Sequence, residues 1–204
     1  MKICIRLVLL LLAATATAQE NSNFTITANL IAETDSAMSQ FNAYLEAAGP
    51  LMIEEGLEVV LLDVTNVKGR DGPLRKGDIV AFTRSPPGAL QRLFSREDFQ
   101  AIVPMLQTSL RGHRGMSIDG ASPEPGWFEA GVDYVVEWAD GSAGNQGVCE
   151  ASAAWKLLSA QDGSAKVERV ALYRGHKATS CRMSTTLSGN GYAAQMRLKT
   201  IIAE

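Results

Sequence analysis

Apolar and polar residues alternate from Phe24 to Ala32, which predicts a strand with one buried face. The period then changes. Met38, Phe41, Tyr44, Leu45, Ala48 and Met52 recur at spacings of three and four, which builds one apolar stripe along a helix. Asp35 or Ser36 stands where a side-chain oxygen can accept the unpaired N–H groups of its first turn. Pro50 falls late in the stripe and is expected to kink or divide the helix, and Gly56 marks its end. Leu57 to Val67 is apolar and β-branched, hence a second strand; polar Lys68 to Gly77 turns the chain, and Asp78 to Thr83 forms a third. Pro86-Pro87-Gly88 stops that strand before a short helix, Ala89 to Phe94. Ser95 opens another helix, with Asp98 in the place of a capping-box acid and Phe99, Ile102, Val103 and Leu106 on its buried side. The order β-α-β-β-α lacks only the last strand of a ferredoxin-like unit.

Residues 111–126, RGHRGMSIDGASPEPG, lack apolar periodicity and are rich in Gly, Pro and Ser, which reads as a linker or long loop. Beyond it the chain reads as strands only: Phe128 to Trp138, Val148 to Leu158, Ala165 to Tyr173, Thr179 to Leu187 and Ala193 to Ile202. Asp162-Gly163 and Gly189-Asn190-Gly191 are hairpin turn signals between these runs. The expected fold class is α+β, a ferredoxin-like half over residues 19–110 followed by an antiparallel β-meander over 127–204.

Several features of the first half resemble a bacterial family of unknown function within the dimeric α+β barrel superfamily. They are Phe41-Asn42-Ala43-Tyr44, Ala48-Gly49-Pro50-Leu51, Asp78-Ile79-Val80-Ala81-Phe82 and Arg96-Glu97-Asp98-Phe99-Gln100-Ala101-Ile102-Val103-Pro104. The resemblance covers residues 24–110 and consists of helix-packing patterns rather than catalytic signatures. It implies sheets from two chains pairing into a barrel, hence a homodimer, and a small-molecule pocket. Members of that family are usually short, single-domain and cytoplasmic. The β-rich second half of this chain is therefore positioned to cover the surface they use for pairing.

The first eighteen residues change the setting. Lys2 and Arg6 precede an unbroken apolar run, Leu7 to Ala14, and Ala16 and Ala18 supply the small residues of a cleavage site. The run is shorter than the roughly twenty residues that cross a bilayer, so residues 1–18 read as a removable secretory signal cleaved near Ala18. A periplasmic or secreted location is expected, with no membrane span. Cleavage removes Cys4 and leaves Cys149 and Cys181, a pair that an oxidising compartment would join as one disulfide. The brevity and alanine-rich end of the leader suit a bacterial signal, so the Asn23-Phe24-Thr25 glycosylation triplet is read as chance. The formal charge of −3 for the whole chain becomes −5, from 17 basic and 22 acidic residues. Nucleic acid is thereby excluded as the partner, since phosphate binding needs a clustered basic surface.

Candidate chemistry is sparse. No Gly-x-Ser-x-Gly elbow occurs, and the glycine-rich loop from Gly141 to Gly147 has no lysine partner, so no catalytic residues and no cofactor are assigned. The only histidines, His113 and His176, each follow an Arg-Gly dipeptide that leaves an imidazole accessible, but no tight spacing supplies the three or four ligands of a metal site. Glu129, Asp133 and Glu137 share a parity and read as the solvated face of a strand, opposite Val132, Tyr134 and Val136. Arg70, Arg75, Lys76 and Arg84 cluster positive charge around one turn and the following strand, with Arg92 nearby, and would suit a small anion if they converge. The expected role is binding a small molecule or a cell-envelope protein; the alternative is a small enzyme working in a pocket of the ferredoxin-like half.

Overall fold

Strands with one face toward a shared interior dominate the computed structural model, which describes residues 23–69, 73–119, 123–140, 158–161, 167–175 and 192–204. The expected leader, Arg70, His176 and the cysteines Cys149 and Cys181 lie outside the described residues. The elements in chain order are β1 (Asn23–Ile31), α1 (Ala37–Glu54), β2 (Glu58–Gly69), β3 (Ile79–Ser85), α2 (Ala89–Ser95), α3 (Glu97–Ser109), β4 (Leu110–Asp119), a 3₁₀ turn (Pro125–Trp127), β5 (Asp133–Asp140), β6 (Leu158–Gln161), β7 (Val167–Arg174) and β8 (Tyr192–Ile202). The fold class is α+β, as expected.

The strands close an antiparallel barrel in the order β1-β3-β2-β8-β5-β7-β6-β4. Within the first half the neighbours run β4-β1-β3-β2, the ferredoxin-like order. The second half repeats it as β8-β5-β7-β6, with β5 in the place of β1 and β8 in the place of β4. Two seams join the halves, β2 with β8 and β4 with β6. The second half is antiparallel, as expected, but among its described strands only β6 and β7 are consecutive neighbours, and the expected strands over 148–157 and 179–187 lie outside the described residues. Sequence proximity set the expected order, whereas burial of both strand edges sets the real one. The barrel implied for two chains thus closes inside one.

Residues 110–119, the start of the expected linker, form β4, the strand missing from the ferredoxin-like unit. Its Gly and Arg content hides it, and Met116 is the one buried apolar residue among its positions whose burial is described. Pairing on both sides, with β1 and with β6, overrides weak propensity. Pro50 does not divide α1. The bond it cannot donate would reach residue 46, which is exposed, so water can serve that carbonyl. Ser36 precedes α1 without a side-chain cap; its carbonyl accepts from Gln40 N at 2.9 Å and from Ser39 Oγ at 2.8 Å. Ser95 likewise closes α2, donating to the Gln91 carbonyl, rather than opening α3. Gly56 does end α1, at φ 75°, with Leu57 N donating back to Met52 O at 2.9 Å.

Two apolar layers follow from strand parity. Even-numbered residues such as Ile26, Leu62, Val80, Tyr134, Val136, Leu172 and Met196 fill the barrel, so both halves share one core. Odd-numbered residues Val59, Leu61, Ile79 and Ala81 face outward under α1, α2 and α3, packed on Phe41, Tyr44, Leu93 and Phe99. Leu74 closes one end of the barrel, and Phe128 the other, against Phe82 and Tyr134. The interior beneath the ferredoxin-like sheet is thus occupied by side chains.

Candidate functional site

At the barrel end where β1 finishes and β3 and β4 begin, three backbone segments meet beside the start of α1. Asp78 ties them together. Its side chain is 3% exposed and accepts four hydrogen bonds. Ile31 N (2.8 Å) and Arg111 Nη1 (2.9 Å) donate to Oδ1, while Arg75 N (2.7 Å) and Arg111 Nη2 (2.8 Å) donate to Oδ2. The Arg111 fork is bidentate, the strong geometry for a guanidinium on a carboxylate. The same guanidinium donates to the carbonyls of Ile31 (3.2 Å) and Pro73 (3.0 Å). The hydrogen bond to Asp78 raises the Arg111 pKa above its ordinary value, so this charge is fixed at any working pH.

Around that knot lies an open cleft of about 250 Å³, lined by Ile31, Ala32, Glu33, Met38, Arg75, Lys76, Gly77, Asp78 and Arg111. Gly77 sits at φ 93°, a conformation that turns the chain back into β3 and lets its N–H donate to Val64 O at 2.9 Å. The turn projects Arg75 and Lys76 together. Arg75 pairs with Glu33 across the cleft. Lys76 is exposed and, among the described residues, has no ion-pair partner. Ile31 and Met38 supply an apolar wall beside these charges. A concave site with one free cation, fixed guanidinium donors and a short apolar wall suits a small amphipathic anion. No serine, cysteine or histidine lines it, and no cluster of metal-ligating residues occurs among the described residues.

The expected cationic residues separate accordingly. Arg75 and Lys76 converge in the cleft. Arg84, an even-numbered residue of β3, points into the opposite end of the barrel and pairs with Glu58 and Glu124. His113 lies exposed on β4, opposite Asn29 of β1, and is not among the cleft residues. Arg92 is engaged with Glu55 on the helical layer. Arg70 and His176 are outside the described residues. Sequence reasoning missed Asp78 and Arg111. A polar residue directly before an apolar strand was the available signal for Asp78, whereas Arg111 was concealed within the expected linker. The carboxylate face is as expected on its buried side, where Tyr134 and Val136 are fully enclosed. On the other side Asp133 pairs with Arg197 at 2.6 Å.

No family model and no curated protein matches the sequence. Solved structures do. An anthrone oxidase-like protein superposes with a TM-score of 0.58 at 9% identity, covering 90% of this chain and 93% of its own. A "putative monooxygenase" from Fusobacterium nucleatum gives 0.53 at 9% identity over 90% and 95% of the two chains. Another, from Lactobacillus acidophilus NCFM, gives 0.51 at 12% identity over 89% and 96%. These likenesses show the fold alone. The chain has the ferredoxin-like α+β barrel fold, with both halves of the barrel supplied by a single polypeptide.

Proposed function

We propose that this is an exported protein that binds a small amphipathic anion in the cleft between α1 and the turn preceding β3. The reading rests on one observation: Arg75 and Lys76 from the turn and Arg111 from β4 meet beside the apolar side chains of Ile31 and Met38. Lys76 carries the free charge and is the anchor; Arg111 and Asp78 hold the walls. Export, with cleavage near Ala18 and a Cys149–Cys181 disulfide, completes the proposal and is supported by the leader and by the even cysteine count that cleavage leaves. Thermal-shift measurements on the mature chain against a panel of small carboxylates test it. Ligands that raise the melting temperature of the wild type should lose that effect in Lys76→Ala. A panel that shifts nothing, while an envelope protein copurifies, would transfer the role to protein binding.

A second reading, a small oxygen-using enzyme, is favoured by the names of the proteins that share the fold, two "putative monooxygenases" and an "anthrone oxidase-like protein". It would use the same cleft. Oxygen consumption with anthrone as substrate decides it: uptake that Lys76→Ala abolishes supports the enzyme, and none above a protein-free control rejects it.

A further inference from the structure

The far end of the barrel is built differently from the cleft. Arg84 on β3 lies opposite Phe24 of β1, and Arg174 on β7 lies opposite Tyr134 of β5. Because β5 and β7 repeat the places of β1 and β3, the barrel presents the same aromatic–arginine pair twice, once from each half. The segment 123–132, which connects the halves, crosses this end as a strap. Its Glu124 pairs with Arg84 and its Glu129 with Arg174. Between those carboxylates, Phe128 is buried against Phe82 (5.5 Å between ring centroids) and Tyr134 (5.3 Å). Arg174 also lies over the Trp127 ring at 5.6 Å and donates to the Trp127 carbonyl at 3.0 Å. The strap therefore offers two acids flanking aromatic rings to two arginines flanking the aromatic surface of Phe82 and Tyr134.

Among the described residues, one buried side-chain group is left without a partner. The Nε of Arg84 is buried and makes no hydrogen bond, although Nη1 of the same side chain serves both Glu58 (3.1 Å) and Glu124. A buried donor without an acceptor is costly and calls for an explanation. An oxyanion entering beside Arg84 would supply the missing acceptor.

We propose that this end of the barrel is a second binding site, for aromatic carboxylates, and that the strap occupies it as a built-in surrogate ligand. The ring of the incoming molecule takes the place of Phe128, so apolar burial is exchanged rather than lost. Its carboxylate takes Arg84 or Arg174 from the strap acids. Glu124 and Glu129 have side chains 74% and 55% exposed, so their ion pairs hold the strap weakly enough to be displaced. The proposal is independent of the cleft, and Lys76→Ala leaves this site unchanged.

The test uses 1-naphthoate and its uncharged analogue 1-naphthamide with the full mature chain, measured by titration calorimetry. Glu124→Gln/Glu129→Gln loosens the strap and should bind 1-naphthoate at least about fivefold more tightly than the wild type does, because more of the protein is then open. Adding Arg84→Met and Arg174→Met should bring 1-naphthoate down to the affinity of 1-naphthamide. No gain in the first variant, or an unchanged preference for the anion in the second, would overturn the proposal. A measurement on the wild type guards against misfolded variants. The Glu129 N–H donates to the Tyr134 hydroxyl at 2.6 Å, so displacing the strap frees it. Saturating 1-naphthoate should accelerate hydrogen exchange at that amide, and unchanged or slower exchange overturns the proposal.

Discussion

Asp78→Ala removes the acceptor of four hydrogen bonds and leaves Ile31 N, Arg75 N and the Arg111 guanidinium facing a void. Charge-assisted bonds contribute about 1.5–3 kcal/mol each, but they do not add, because Arg111 retains the carbonyls of Ile31 and Pro73. Losing one partner of a buried ion pair costs about 3–5 kcal/mol, and that is the expected loss here. For a domain of this size each kcal/mol moves the melting temperature by about 2–4 °C, so Asp78→Ala should melt roughly 6–20 °C lower. Asp78→Asn keeps the shape and one acceptor oxygen, and should fall between this variant and the wild type. Urea unfolding followed by circular dichroism gives the free energies, and Arg111→Ala with the double variant completes a cycle. A coupling of about 1–3 kcal/mol is expected for residues in one network. A loss below about 1 kcal/mol in Asp78→Ala would refute the reasoning, since the turn before β3 would then be held by something other than this carboxylate.

Three further outcomes are expected. Arg197→Ala breaks a pair whose arginine side chain is 58% exposed, and should leave the urea midpoint within error, in contrast to Asp78→Ala. Burial raises the Tyr44 phenol from 10.0 to about 12, so folding favours its neutral form. That contribution is complete below pH 10 and is lost as pH rises through 12; a pH series of melts should show a shallower alkaline fall in Tyr44→Phe, and an unchanged fall would exclude Tyr44 as its source. Mass spectrometry of alkylated native protein from the exported fraction should find Cys149 and Cys181 unmodified until reductant is added, and two labelled thiols without reductant would refute the disulfide.

Local elements were legible because their signals are local. The three-and-four spacing of Phe41, Tyr44 and Ala48 places them under α1, where all are buried, and Gly56 ends that helix as its type suggests. Alternation was equally readable in β1, and the parity of Tyr134 and Val136 correctly put both inside the barrel. The failures share a cause. Leu110 to Asp119 carries too few apolar residues to announce a strand, yet two neighbours bind its edges. Arg111 was hidden with it. Arg84 was grouped with Arg75 by sequence proximity, although β3 separates the two by the length of the barrel. Asp78 is buried where two distant donors, Ile31 N and the Arg111 guanidinium, converge on it beside the local Arg75 N, and convergence has no sequence pattern.

The chain by itself determined the helices and strands of the first half up to Ser109, which of their faces are apolar, and that Arg75 and Lys76 share a turn. These depend on backbone geometry and periodicity over a few residues, so neighbouring positions carry the information. Only the tertiary structure decided that the two halves repeat one strand order, that β2–β8 and β4–β6 seams close a single barrel, and that Arg84 and Arg174 occupy equivalent places within it. Those outcomes follow from satisfying every strand edge and filling one interior at once. Such a requirement acts on the whole chain rather than on any window of it.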